Sequence, residues 1–210
     1  MHKVAVFVDG RYLAKILLDR YRREDSSAQR RRVEHRKLID DIVAKAGPDR
    51  EIMRIFYYDC LPYMNEDPTY EQTVKLNGTQ RFHAALRRLP RFEIRLGRVA
   101  YRGCDSEGRP IYEQKRVDLL LGMDLILHSV KHTVDEAFLV TGDSDFIPVI
   151  QAAKAEGIVT YLVYGGTVYQ DLFDTADERI EITQELVDGA LMPEHPLYTN
   201  NWQPDQPTIP

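Results

Sequence analysis

The chain has 210 residues, 43% of them hydrophobic and 29% charged, which excludes a mostly disordered protein and suffices for one α/β domain with a sizeable core. Its two cysteines exclude a disulfide framework and a cysteine-histidine zinc site, so any metal chemistry must use oxygen ligands. The net charge of −5 does not by itself favour a nucleic-acid partner.

The distribution of charge along the chain gives a different indication. Residues 20–37 carry +5 and residues 81–116 carry +6, which leaves −16 on the remainder. A single charge run is usually a solvated face of a helix or hairpin. Two basic segments on an acidic body also suit contact with a phosphate backbone.

The first third of the chain predicts strands from short apolar runs and helices from apolar residues spaced three and four apart. The elements are a strand over residues 3–10, a helix over 11–21, a charged loop over 22–32, a helix near 34–46 and a strand over 51–60. The apolar run before Asp9 is too short for a signal peptide, and no later stretch has membrane-spanning length. We therefore expect a cytoplasmic protein that does not contact membranes.

Residues 61–114 are predicted to form a variable basic insertion. Residues 61–76 lack periodicity and predict an irregular segment, and residues 77–89 predict a helix. Alternating apolar residues predict one half-exposed strand over 92–103, and a turn with a returning strand then completes a basic hairpin.

The last part of the chain alternates helices and strands. The pattern predicts helices over 117–130, 146–157, 167–174 and 183–191, and strands over 136–142, 158–165 and 180–182. The first of these helices is apolar on most sides, so we expect it to be buried. Strand-helix alternation implies a mostly parallel sheet covered on both faces, here within residues 1–192. Residues 193–210, with five prolines, predict a disordered tail and a candidate docking peptide for a protein partner.

Carboxylates follow two of the predicted strands. Asp9 ends the first, and Asp143 and Asp145 follow a later one, while Asp118 opens the apolar helix. Ligands of open parallel sheets bind outside the carboxyl ends of strands, so these acids are expected to share one edge. Converging carboxylates repel one another unless a cation neutralises them, and oxygen ligands suit Mg²⁺ or Mn²⁺.

Each acid also has an ordinary structural interpretation. Asp9 precedes a glycine and fits a simple turn, while Asp145 or Ser144 could cap the following helix. Asp118 could be a first-turn acid favoured by the helix dipole. Asp124 lies on an apolar stripe of the same helix, where it would need a lysine, an arginine or a backbone group as partner.

One further pattern on this helix favours a functional face. At about 100° per residue, Asp118 shares its face with Lys115, Gly122 and Ser129. They are the polar or small positions of an otherwise apolar helix. We therefore expect this stripe to point toward solvent.

Four motifs together resemble the NYN domain, in its LabA-like branch, which belongs to the PIN-like nucleases. They are VAVFVDG at the start, KRVD at 115–118, TGDSDFIPVI at 141–150 and DTADERIEI at 174–182. The resemblance covers roughly residues 3–185 and implies a three-layer α/β/α PIN-like fold. It also implies a ribonuclease site in which Mg²⁺ or Mn²⁺ is bound by acidic residues. Those acids are Asp9, Asp118, Asp143 and Asp145, supported by Lys115, Asp124, Ser144 and Asp177.

The sequence departs from the family pattern at two positions. Tyr12 stands where many relatives carry asparagine, and Arg116 replaces the usual glycine of a KGVD-type motif. The first departure replaces an amide with a phenol, and the second adds a positive charge beside the predicted site. The arginines expected to contact nucleic-acid phosphates are Arg11, Arg87, Arg88, Arg95, Arg98, Arg102 and Arg116.

The leading hypothesis is a ribonuclease that hydrolyses RNA phosphodiester bonds with carboxylate-bound Mg²⁺ or Mn²⁺ activating water. The alternative is a non-catalytic RNA-binding or regulatory adaptor that retains the nuclease fold, and a homo-oligomer is left open in either case. An aspartyl phosphatase fits less well, because residue 11 is arginine where a second acid would donate the proton.

Overall fold

A computed structural model describes residues 1–24, 32–104, 106–107 and 110–192. Most of the predicted charged loop and the whole predicted tail lie outside these ranges. The strands are β1 (His2–Asp9), β2 (Arg50–Asp59), β3 (Phe92–Leu96), β4 (Arg98–Cys104), β5 (Pro110–Lys115), β6 (Glu136–Val140), β7 (Val159–Tyr164) and β8 (Glu178–Glu181). The helices are α1 (Gly10–Glu24), α2 (His35–Lys45), α3 (Tyr70–Arg87), α4 (Val117–Val130), α5 (Ile147–Ala155), α6 (Gln170–Thr175) and α7 (Gln184–Gly189).

Six strands form one sheet in the order β3-β2-β1-β6-β7-β8, and each neighbouring pair is parallel. The strand order reverses between β1 and β6, where a crevice opens at the carboxyl ends of the strands. The remaining strands, β4 and β5, form a separate antiparallel hairpin. This arrangement confirms the predicted mixed α/β fold with a central parallel sheet and a hairpin insertion.

The alternation of side chains along β1 divides the core into two layers. Val4, Val6 and Val8 are fully buried against α1, α2, α3 and α7 on one face of the sheet. Ala5 and Phe7 are fully buried against α4, α5 and α6 on the other face. The sheet is therefore covered on both faces, as the continuous apolar runs of its strands require.

Helix α3 begins seven residues earlier than predicted. Thr69 accepts a hydrogen bond from the backbone N–H of Gln72 (3.2 Å), and the Gln72 side chain accepts one from the backbone N–H of Thr69 (3.1 Å). This reciprocal capping box satisfies two N–H groups that the first turn would otherwise leave unpaired. The prediction of an irregular segment over residues 61–76 was wrong for this part.

The single strand predicted over residues 92–103 is two strands. β3 pairs with β2 at the edge of the sheet, and β4 leaves the sheet to pair with β5. Gly97 lies between them, where a Cβ atom would come within 2.6 Å of the Lys115 carbonyl oxygen. The chain can turn out of the sheet here because glycine allows that close approach.

The apolar composition of helix α4 predicts burial on most sides, but the structure shows burial on one face only. Its buried side chains include Leu121 and Leu125, whereas Leu119 is 63% exposed and Met123 is 59% exposed. The helix therefore covers the sheet with one face and leaves apolar side chains on the other. Within the described ranges, no helix is both long and apolar enough to cross a membrane.

Candidate active site

The predicted acids meet at the carboxyl edge of the sheet, beside the reversal of strand order. Asp9 is the last residue of β1, and Val8 just before it pairs with Val140, the last residue of β6. Asp143 follows three residues after that strand end. Because β1 and β6 are parallel neighbours, their following residues emerge at the same point.

Asp9 is held in place by the helix that follows it. Its Oδ1 accepts hydrogen bonds from the backbone N–H groups of Arg11 (3.0 Å) and Tyr12 (3.1 Å) at the start of α1. Gly10 makes this abrupt start possible, because a Cβ there would lie 2.4 Å from the Tyr57 ring. The carboxylate is thereby fixed at the sheet edge.

Asp143 has the capping role that the sequence assigned to Asp145 or Ser144. Its Oδ1 accepts a hydrogen bond from the backbone N–H of Asp145 (2.9 Å), and its own N–H donates to Oγ1 of Thr141 (3.2 Å). Residues Ser144–Phe146 form a single 3₁₀ turn before α5. The side chain of Asp145 is exposed and takes no part in the cap.

The charges of these acids act on one another. Burial raises the pKa of Asp9, and the charges of Asp118 and Asp143 raise it further against the lowering effect of its two backbone hydrogen bonds. Burial also raises the pKa of Asp118, as do the charges of Asp143 and Asp145. Among the described residues, no ion pair involves any of these four acids. They form an electrostatically strained cluster at the crevice.

The acids are near one another without forming a closed cage. In the part of the chain that the structure describes, no group of three or more histidine, cysteine, aspartate or glutamate side chains is arranged to hold a metal ion. The hydrogen bonds of Asp9 and Asp143 use Oδ1 only. Oδ2 of each therefore has no hydrogen-bond donor among the described residues.

Tyr12, where relatives carry asparagine, lies between two strand ends. Its hydroxyl accepts a hydrogen bond from the backbone N–H of Gly165, just after β7 (3.2 Å). Its ring lies against Gly142, where a Cβ would come within 2.4 Å of it. Burial raises the pKa of Tyr12, with the charge of Asp9 adding to the effect, so the phenol stays neutral. Gly142 is thus required by the bulk of Tyr12.

Asp124 and Asp177, which are predicted to support the four acids, have other hydrogen-bond partners. Asp124 accepts hydrogen bonds from the Tyr58 hydroxyl (2.9 Å) and from Nε of Arg95 (3.0 Å), which gives it the arginine partner that its burial requires. Asp177 precedes β8 and therefore lies at the amino edge of the sheet, where it contacts Lys154 (2.9 Å) and Thr160. Asp177 is therefore remote from the acids, whereas Asp124 bonds to Tyr58, which pairs with Asp9 in the sheet, and its supporting role stays a prediction.

The polar stripe predicted on α4 does not face solvent. Ser129 is completely buried and donates a hydrogen bond to the Leu125 carbonyl (2.8 Å), and Gly122 packs against Val149. Lys115 belongs to β5 rather than to the helix. Only Asp118, in the first turn, is exposed at the site.

The predicted nucleic-acid arginines divide into three groups. Arg11, Arg98 and Arg116 are exposed at the carboxyl edge or at the base of the hairpin. Arg95 and Arg102 have carboxylate partners, Arg95 in Asp124 and Glu93 and Arg102 in Glu113. Arg87 and Arg88 end α3 just before β3 begins, which places them at the amino edge, away from the acids.

Arg116 has an unusual backbone. Its φ of 74° lies in the left-handed region, at the residue before α4 where the family pattern has glycine. Glycine adopts this conformation without strain, whereas an arginine does not. The substitution therefore adds a positive charge two residues from Asp118 at a cost in backbone strain.

Sequence reasoning missed a buried pair at the same edge. Asp59 ends β2, and its Oδ2 lies 2.8 Å from Nε2 of His83 on α3. His83 is 1% exposed, and its Nδ1 has no partner within the described residues. Asp59 could have been found by the rule that identified Asp9, because both are acids at the ends of apolar strands.

Cys60, next in the chain, is not a nucleophile in this setting. Burial raises the pKa of its thiol to about 11, with the charge of Asp59 adding to the effect. The thiol therefore remains neutral near pH 7. This leaves the carboxylates as the reactive groups at the carboxyl edge.

Two grooves of about 580 Å³ and 550 Å³ adjoin the acids, and both are lined in part by Arg11 and Ala14 of α1. The first includes Asp9 and Tyr12, and the second includes Asp59 and the Tyr57 ring. Volumes of this size are sufficient for a ligand beside the acids.

Comparisons with known proteins agree with this fold. The family model described as NYN domain matches residues 3–183. A crystal structure of a protein of unknown function, VPA0982 from Vibrio parahaemolyticus, has a similar fold, with a TM-score of 0.59 and 20% sequence identity. The similarity covers 91% of this chain and 96% of that one. No curated protein matches the sequence significantly.

Proposed function

Because the chain belongs to the NYN domain family, within the PIN-like nuclease superfamily, we propose that it is a metal-dependent ribonuclease. The family match does not specify the LabA-like branch, which stays a prediction. The proposed reaction is hydrolysis of an RNA phosphodiester bond at the carboxyl edge of the sheet. The four acids Asp9, Asp118, Asp143 and Asp145 would carry it.

The observation that supports this proposal most strongly is the electrostatic strain of the acids. The pKa values of Asp9 and Asp118 are raised by burial and then by neighbouring carboxylates. Clusters of like charge cost stability and are found where a ligand of opposite charge compensates them.

The donor set fits Mg²⁺ or Mn²⁺. All four side chains offer carboxylate oxygens, and Oδ2 of Asp9 and of Asp143 receives no described hydrogen bond. The open arrangement also suits an ion that keeps several waters and accepts phosphate oxygens from its substrate. When bound, such an ion would activate water and neutralise charge on the phosphate.

The residues of the chain itself would have separate tasks. The α1 backbone orients Asp9 through its N–H groups, and the turn after β6 orients Asp143. The exposed Arg11 and Arg116 would bind phosphates of the substrate near the acids. With no histidine in contact with the four acids among the described residues, we assign no side chain the role of general base.

The proposal is tested by incubating single-stranded RNA with the purified protein and Mn²⁺. Cleavage is expected to stop with a chelator and to fall about a hundredfold or more in Asp143→Asn, whose amide can still cap the turn. The matched control is Asp177→Asn at the opposite edge, which should cleave like the wild type. Cleavage that survives both the chelator and Asp143→Asn would contradict the metal-carboxylate mechanism.

The alternative function is RNA binding without turnover. It is favoured by Tyr12, whose ring fills the space beside Gly142. Its backbone N–H donates to Asp9, and its hydroxyl accepts from the backbone N–H of Gly165. This alternative predicts that the wild type binds RNA in a salt-dependent manner, with or without Mn²⁺, and releases no product. Gain of Mn²⁺-dependent cleavage in Tyr12→Asn would identify Tyr12 as the cause of the lost activity.

A further inference from the structure

Three tyrosines form a cluster on the hairpin, outside the acidic site. The hairpin tyrosine cluster consists of Tyr63, from the segment after β2, with Tyr101 of β4 and Tyr112 of β5. The ring centroids lie 6.0 Å apart for Tyr63 and Tyr101, 5.2 Å for Tyr63 and Tyr112, and 5.9 Å for Tyr101 and Tyr112.

The register of the hairpin explains how the cluster forms. Tyr101 and Tyr112 are directly paired across the two strands, so their side chains project from the same face. Val99, two residues earlier on that face, packs against the protein core. On this face of the hairpin, Val99 anchors the strand to the core, and the paired tyrosines lie further out.

The cluster is too exposed to serve only as packing. Tyr101 is 47% exposed and Tyr112 is 42% exposed, and the ring planes of the three pairs are inclined by 33° to 52°. The Tyr101 hydroxyl lies 3.2 Å from Sγ of Cys104, which holds the ring by its polar end. Exposed aromatic faces fixed in orientation are the feature on which unpaired bases stack.

The base of the hairpin connects the cluster to the acids. Arg98 pairs with Lys115 where the hairpin leaves the sheet, and Arg116 and Asp118 follow directly in the chain. The tyrosine pair is three residues further along each strand, about 10 Å away at ~3.3 Å per residue. Because side chains alternate along a strand, Arg98 and Lys115 project from the face opposite Tyr101 and Tyr112. The base of the hairpin between the tyrosines and Asp118 nevertheless carries exposed positive charge at Arg116, which suits a polyanionic strand.

We propose that the hairpin tyrosine cluster stacks unpaired bases of the RNA strand whose backbone reaches the acidic site. This inference rests on the proposed ribonuclease function and specifies its substrate as single-stranded RNA. A duplex does not fit this role, because its bases are already stacked on one another and expose only their edges.

Binding measured without cleavage tests the proposal directly. Fluorescence anisotropy in the presence of a chelator compares an unstructured oligoribonucleotide with an abasic strand of the same length and charge. The Tyr101→Ala/Tyr112→Ala variant should bind the oligoribonucleotide about tenfold or more weakly and bind the abasic strand like the wild type. The Tyr101→Phe/Tyr112→Phe variant keeps both rings and should retain wild-type affinity for both strands.

Tyr70→Ala is the matched control, because Tyr70 is 79% exposed on a different element. It should not change either affinity. Equal weakening for the intact and abasic strands would assign the tyrosines a structural role and overturn the proposal, as would unchanged binding in the double alanine variant. These binding outcomes are distinct from those that test the proposed function, which are measured as Mn²⁺-dependent cleavage by the wild type and by Asp143→Asn.

Discussion

The acids at the two edges of the central sheet differ in their neighbours: those at the amino edge pair with cations, whereas Asp9 and Asp118 at the carboxyl edge face other carboxylates. At the amino edge, Glu136 is 4% exposed in its side chain and contacts Arg50 at 2.6 Å, while Asp177 contacts Lys154 at 2.9 Å. At the carboxyl edge, Asp9 and Asp118 have raised pKa values, because both carboxyls are partly shielded from solvent and face other carboxylates.

This difference separates residues that stabilise the fold from residues that serve a ligand. Folding alone favours partners for buried charges, and the amino edge follows that rule. Acids placed beside acids lower stability, and natural sequences retain such arrangements at functional sites. The comparison predicts that mutations at the carboxyl edge change activity, whereas mutations at the amino edge change stability.

The largest effect is expected for Asp9→Asn. The amide oxygen can still accept the N–H groups of Arg11 and Tyr12, so the change removes the charge and keeps the cap. Mn²⁺-dependent cleavage should fall about a hundredfold or more. Because a raised pKa means that the ionised form destabilises the fold at neutral pH, the melting temperature without metal should rise. A lower melting temperature would show that Asp9 is structural.

Glu136→Gln should have the reverse effect. The change leaves Arg50 without its charged partner in a mostly buried position, and we expect a loss of about 2 kcal/mol in the free energy of unfolding. Urea denaturation measures this loss, and RNA cleavage per folded molecule should be unchanged. Glu51→Gln is the control, because the exposed Glu51–Arg91 pair should contribute far less.

Arg116→Gly and Arg91→Gly compare two arginines with similar backbone strain, one at the carboxyl edge and one at the amino edge. Both arginines have left-handed backbones, with φ of 74° and 66°, so glycine should relieve strain of about 1 kcal/mol at each. Denaturation should show similar gains for both variants. Only Arg116→Gly, at the carboxyl edge, should reduce the salt dependence of RNA binding, by about one phosphate contact. Equal salt dependence in the two variants would contradict a phosphate contact by Arg116.

The elements that the sequence predicted well are those with strong local signals. Apolar runs ending in an acid and glycine fixed β1 and placed Asp9 at its end, and the same logic placed Asp143 after β6. Thr69 and Gln72 carry the capping-box pattern at the start of α3. The apolar periodicity that predicts a helix begins only at residue 77, so this pattern misses the first two turns. The break at Gly97 depends on contact with Lys115, which the sequence cannot show.

The positions of Asp177 and Asp124 depend on two different features of the fold. An acid after a strand lies at the carboxyl edge, and an acid before a strand lies at the amino edge. Asp177 precedes β8, so the order of elements places it at the amino edge, whereas the family resemblance implied a supporting role beside the acids. Asp124 required knowledge of which α4 face meets Tyr58 and Arg95, and only tertiary packing determines that.

The smallest effect should be the pH-dependent contribution of Asp177, at the amino edge, to the free energy of unfolding. Burial acts to raise the pKa of this carboxyl, but hydrogen bonds from Thr160 and Lys154 hold it below its usual value of 3.8. Its stabilising contribution should therefore be complete above about pH 4 and be lost as the pH falls below that value. Because the side chain is 35% exposed, solvent screening should keep the loss in Asp177→Asn below about 1 kcal/mol at neutral pH. Urea denaturation of both proteins should show this difference shrinking in acid, whereas a constant difference would mean that the hydrogen bonds, not the charge, stabilise this edge.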